Sequence, residues 1–135
     1  ANRAKNTDTN ILPLVINLAN FSPWQGWAGK ERAAFDGRKR PDLVMCLAVI
    51  HHICIGSNIP LEMFLGWLRS LDADLVLEFV SRDDEMVQKL LINRKDKFEA
   101  YSNNRFLEKI EPLFNIEDRL LLKDGKREIF ALSPK

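Results

Sequence analysis

Three short, nearly unbroken apolar runs punctuate the chain: ILPLVINL at 11–18, DLVMCLAVI at 42–50 and DLVLEFV at 74–80. Runs of this length without polar alternation predict strands covered on both faces. Pro13 lies inside the first run and cannot donate a ladder hydrogen bond, so that strand belongs at a sheet edge or begins near the proline. Elsewhere the apolar residues recur at helical spacing. Leu61, Phe64, Leu65 and Leu68 predict a helix that starts near Pro60, which a first turn tolerates. Met86, Val87, Leu90 and Leu91 predict a second, with Ser81 or Asp83 as its cap and Asp83, Asp84 and Glu85 suited to the positive end of its dipole. Phe106, Leu107 and Ile110 predict a third, capped by Ser102 or Asn103 and ended by Pro112. RLLLK, Asp124-Gly125 and KREIFAL then read as a hairpin, because Asp-Gly between apolar runs favours a tight turn.

The connections are polar. Residues 1–10 form a polar N-terminal segment, and 11–135 carry the predicted elements. A long link covers 19–40, holding turn formers, Trp24 and Trp27, and a stretch of short helical character over 30–40. Residues 93–101 are a charged link. Strands alternating with helices predict an α/β fold with a mostly parallel sheet, covered on both sides and closed by an antiparallel hairpin.

Composition narrows the class. The chain has 135 residues, 20 Lys plus Arg against 19 Asp plus Glu, and a formal net charge of +1. That balance gives no global attraction to nucleic acid or to an anionic membrane, and no apolar stretch approaches the roughly 18 residues of a membrane span. Lys30, Arg32, Arg38, Lys39 and Arg40 read as a solvated basic face. Cys46 and Cys54 are too few for a disulfide scaffold, so a reduced, cytoplasmic setting is expected. Cys46, His51, His52 and Cys54 have no usual zinc spacing, and no metal is expected. The chain contains no G-x-S-x-G, H-E-x-x-H or Walker loop.

PDLVMCLAVIHH at 41–52, DLVLEFVSRDD at 74–84 and the closing hairpin together resemble the C-terminal part of a class I S-adenosylmethionine-dependent methyltransferase. They resemble the fourth strand, the fifth strand with its exit loop, and the final strand pair of that family. Its strand order is 3-2-1-4-5-7-6, with the seventh strand antiparallel beside the fifth. ILPLVINLANFSPWQGW, the His pair and EFV are most similar to a group of predicted methyltransferases named for association with nodulation. The resemblance makes 11–18 the third strand and leaves the first two strands absent. The glycine-rich loop and the ribose-binding acid those strands carry are absent with them. It therefore implies that 11–135 is the C-terminal portion of a methyltransferase domain, a fragment inactive alone, whose parent binds S-adenosylmethionine and methylates an acceptor of unknown kind.

Ligands of open parallel sheets bind beyond the carboxyl ends of the strands. The resemblance places Asn17, Leu18 and Ala19 on the adenine side of the cofactor, and Leu47 and Ala48 beside its methionine part. His52 is the candidate general base, since imidazole titrates near neutral pH; His51 reads as a buried, hydrogen-bonded partner. Glu78, near the end of a buried strand, needs a partner. It is either a second catalytic candidate or a structural ion paired with Arg82 or a histidine. Trp24, Trp27 and Asp83 are substrate-side candidates, with the tryptophans equally able to anchor the long loop. The alternative is a non-catalytic structural or interaction module with an incomplete cofactor site. In either case an exposed sheet edge could pair with a second copy.

Overall fold

The computed structural model describes residues 11, 13–35, 37, 39–92 and 101–135. The polar segment 1–10 and most of the charged link 93–101 lie outside the described residues. A four-stranded sheet organises the rest: β1 (Leu43–Cys46), β2 (Asp74–Val80), β3 (Phe114–Leu121) and β4 (Arg127–Pro134). Their order is β1-β2-β4-β3. β1 and β2 are parallel, while β4 pairs antiparallel with both β2 and β3. The sheet is thus mostly antiparallel, not mostly parallel as the pattern of runs predicts. The difference comes from 11–18, which forms no strand among the described residues; Ile11, Leu14 and Val15 are exposed there. An apolar run reports a need for cover, not the neighbour that supplies it.

The run 74–80 becomes β2 from end to end. The run 42–50 does not stay extended. It leaves the sheet after Cys46, turns through Ala48 at φ +54° and enters a helical turn at Ile50. A π-helical turn, His52–Gly56, continues it. A short apolar run can continue into either kind of structure, so periodicity does not place this boundary. Residues 30–40 hold no helix among the described ones. The link instead folds back on itself through a bridge between Gln25 and Arg32.

Three helices follow: α1 (Leu61–Ser70), α2 (Glu85–Leu91) and α3 (Asn103–Ile110). The apolar stripe of α1 buries Leu61, Phe64, Leu65 and Leu68. Ser102 caps α3, its hydroxyl accepting from the Arg105 amide. For α2 the cap is Asp84, not Ser81 or Asp83. Its carboxylate accepts from the Met86 amide at 2.8 Å. The aromatic core joins α3 to the sheet. Phe106 stacks on Phe79 of β2 at 4.6 Å between centroids and meets Phe130 of β4 at 5.1 Å. Tyr101 stacks on Phe79 and donates its hydroxyl to the Val80 carbonyl at 2.8 Å, tying the chain before α3 to the end of β2.

Register sorts the strand residues by face. Leu75, Leu77 and Phe79 share one face of β2, with Leu132 and Phe130 opposite the first two. Val76, Glu78 and Val80 share the other face, with Arg127 opposite Val80. Glu78 and Arg127 are therefore diagonal neighbours on one face, a spacing that long side chains bridge. On β1, Leu43 and Met45 are exposed to more than half of their area. The expected cover on both sides of the sheet is missing at this edge among the described residues.

A candidate site at the carboxyl ends of β1 and β2

β1 and β2 point their carboxyl ends the same way, and the loops that leave them bring together four side chains from distant parts of the sequence. His51 follows β1, Glu78 lies in β2, Asp84 caps α2, and Arg127 opens β4. Arg127 links the two acids. Its Nε donates to Asp84 Oδ2 at 2.8 Å, and its Nη1 donates to Glu78 Oε1 at 3.4 Å. Both carboxylates are buried, at 7% exposure for Glu78 and 5% for Asp84. Burial pushes the Asp84 carboxyl up. The Arg127 hydrogen bond, the Met86 amide and the Arg127 charge outweigh it and hold the group below its ordinary value. The same hydrogen bond raises Arg127 above its ordinary value. The amide of Ser81 donates to the Lys126 carbonyl at 2.7 Å, closing the exit of β2 against the start of β4.

His51 sits against this network at 2% exposure. Its Nδ1 has no hydrogen-bond partner among the described residues. Burial first, and the adjacent His52 second, push its imidazole down to about 4, with Arg127 adding to that effect and Asp84 opposing it. His52 is exposed, and its ring lies 4.2 Å from that of His51 between centroids. Two marks of local strain accompany the pair. Ala48 holds a left-handed φ that costs an alanine roughly 1 kcal/mol or more, and the His52–Gly56 turn is π-helical. Both features concentrate at functional sites.

The partner of Glu78 is Arg127, 49 residues away, not Arg82 or a histidine. Asp83 is exposed, and only its neighbour Asp84 belongs to the network. Leu47 is exposed and Ala48 half-buried at the strand exit. Asn17 closes a local turn by accepting from the Ala19 amide at 3.0 Å, and Asn17, Leu18 and Ala19 are all exposed. Trp27 stands out at 86% exposure, and Trp24 packs on Gly37 within its own link. The anchor of that link is another aromatic group. Phe21 stacks on Phe35 and meets Trp67 of α1 at 5.0 Å between centroids. Arg127 is the member that sequence reasoning missed. Its signal was the arginine at the start of the last strand, which carries no meaning until the register is known.

A concavity of about 630 Å³ runs along the open edge of β1. Its lining is mostly apolar, with Leu14 and Leu18 facing Val44, Met45, Phe64 and Trp67. The segment 14–18 thus lies along the edge of β1 without joining the sheet. Among the described residues, no group of three or more His, Cys, Asp or Glu side chains converges as a metal site. No helix among them is long and apolar enough to cross a membrane.

The chain is similar to the nodulation protein NoeA of Rhizobium meliloti (strain 1021), with 33% identity over 129 residues. The match takes in 96% of this chain and 27% of the relative, so the chain spans about a quarter of the relative's length. No family model matches the chain, and no solved structure matches it significantly.

Proposed function

We propose that this chain is the C-terminal part of an S-adenosylmethionine-dependent methyltransferase that acts in nodulation. One observation carries the reading. The order β1-β2-β4-β3, with β4 antiparallel beside β2, matches the 4-5-7-6 half of the methyltransferase sheet strand for strand. The similarity to a nodulation protein of greater length supports the setting.

In this reading the cofactor sits beyond the exit of β1. Beyond β1 the backbone turns at Ala48, which leaves Leu47 exposed past the last strand residue. In this reading Leu47 and Ala48 flank the methionine part, and Asn17, Leu18 and Ala19 lie toward the adenine. When bound, S-adenosylmethionine supplies an electrophilic methyl group. The chain's own part is alignment, which can account for much of a displacement reaction's barrier. His52 is the exposed imidazole able to take a proton from the acceptor. Glu78 holds Arg127 and serves as an electrostatic support, while Asp83 and the exposed tryptophans remain on the acceptor side.

A second reading is favoured by the exposed Leu43 and Met45 at the edge of β1. A non-catalytic module could use that edge to pair with a second copy or another protein.

Titrating S-adenosylmethionine into the 135-residue chain, and into a protein extended upstream toward the relative's length, separates the two. The methyltransferase reading expects micromolar binding by the longer protein and none by the short chain. Absence of binding by the longer protein overturns it.

A further inference from the structure

The near-neutral total conceals an uneven distribution of charge. Residues 11–40 hold five basic side chains, Lys30, Arg32, Arg38, Lys39 and Arg40, against two acids, Glu31 and Asp36. The segments 1–10 and 93–100 are each net basic as well, so neither cancels this excess, and the rest of the chain is net acidic. Arg40 pairs with Asp72 at 2.9 Å. Even with Glu31, Asp36 and Asp72 each matched to one cation, two of the five cations keep their charge.

The same stretch exposes large apolar side chains, Trp27 at 86% and Trp24 at 55%. Two contacts gather them with the cations at one corner. The backbones of Gln25 and Arg32 bond each other in both directions at 3.1 Å, which makes 25–32 a closed loop holding Trp27 and the exposed Lys30. The Trp24 ring leaves no room for a β-carbon at Gly37, and so brings the start of the basic run 37–40 against that loop. The loop is strained. Gly26, Ala28 and Gly29 hold φ of +85°, +53° and +67°, a region that is costly for the alanine. The indole displayed there buries little in return, so packing does not account for the strain.

We infer that the corner formed by the 25–32 loop and the 37–40 run docks on an anionic lipid bilayer. Trp27 enters the headgroup layer, and Lys30, Arg32 and Lys39 meet the anionic headgroups. Tryptophan favours that depth because its ring is apolar and its N–H is polar, and each cation near the surface adds attraction. A single exposed ring on a loop tip suits a deformable surface better than a protein partner, whose anchors fill packed pockets. The docking is peripheral and needs no membrane-spanning helix. It does not depend on the methyl-transfer reading.

The test is co-sedimentation of the 135-residue chain, and of the protein extended upstream, with lipid vesicles. One set is phosphatidylcholine with about 30% phosphatidylserine, the other pure phosphatidylcholine. Both proteins are expected to bind the anionic vesicles roughly tenfold more tightly than the neutral ones, and to be released by about 1 M salt. Trp27→Ser, at an exposed position, should weaken binding about fivefold and abolish the extra quenching of tryptophan emission by brominated lipid. Lys30→Gln combined with Lys39→Gln should weaken it by about tenfold or more. Leu121→Thr, equally exposed on the edge strand β3, should change it less than about twofold. No binding, equal binding to neutral vesicles, or undiminished binding in either link variant overturns the inference. Binding by the short chain alone makes the upstream polypeptide the occupant of this corner, and a vesicle-free dimer that Trp27→Ser dissociates makes it a second copy. Either result overturns the inference too.

Discussion

Replacing Arg127 by methionine is expected to destabilise the chain by about 3–5 kcal/mol at pH 7, the usual cost of breaking a buried ion pair from one side. The size follows from what is left behind. The methionine side chain would fill the space of the arginine stem, but Glu78 and Asp84 would stay buried with no counter-ion between them. Water cannot readily replace the guanidinium at 7% and 5% exposure. Glu78→Gln should cost much less, because Arg127 then still neutralises Asp84. Urea unfolding at constant slope reads both variants. The comparison also has a pH signature. The deficit of the Arg127→Met variant should shrink as the pH falls, because Asp84 loses the guanidinium that holds its carboxyl low and takes up a proton more readily. A loss below about 1 kcal/mol would mean that the pair behaves as a surface salt bridge.

The second large effect is acid destabilisation through His51. Its imidazole is lowered from 6.5 to about 4 by burial, then by His52. The unfolded chain therefore takes up a proton near pH 6.5 that the folded chain refuses until about pH 4. Stability conferred by the neutral ring is fully present above pH 6.5 and declines as the pH falls through that window. The total decline is on the order of 3 kcal/mol. Asp84 acts in a lower window. Its lowered value contributes stability above the ordinary carboxylate range, lost only as the pH falls through the depressed value. His51→Phe keeps a ring beside His52 and removes the proton site. Its stability should change little between pH 6.5 and 4.5, while the parent loses most of the stated amount. Equal pH slopes in the two proteins would show that His51 is not the group responsible.

These two residues also mark where sequence reasoning reaches and where it stops. Local signals carried the elements whose partners are close in sequence. DLVLEFV became β2 to the residue, Asp124-Gly125 turned the final hairpin, and Ser102 capped α3. The longer-range half did not follow. ILPLVINL has the composition of a covered strand, yet Val15 is 99% exposed and no strand forms there among the described residues. The pattern encodes burial, and burial needs a neighbour that the pattern does not name. DLVMCLAVI broke at Ala48 because an apolar run is compatible with a strand followed by a helical turn. The strain at Ala48 has no sequence signature, since alanine does not advertise a positive φ. In the site, Glu78 was legible as a carboxylate in want of a partner. Arg127 became that partner only through the antiparallel register of β2 and β4, which sets it opposite Val80. His51 was legible as buried; its unpaired Nδ1 was not, because hydrogen-bond satisfaction depends on the packed geometry.

The proposed function joins these parts. The half-sheet presents the exits of β1 and β2 side by side, the ion network fixes the exit of β2, and the His pair follows the exit of β1. If methyl transfer is the activity, the cofactor must touch the β1 exit. Amide hydrogen exchange on the longer protein, with and without S-adenosylmethionine, measures that contact directly. Slower exchange on cofactor addition is expected at residues 47–52, with the α3 core unchanged. Cofactor binding that protects other segments and leaves 47–52 exchanging at the same rate would contradict the methyl-transfer reading.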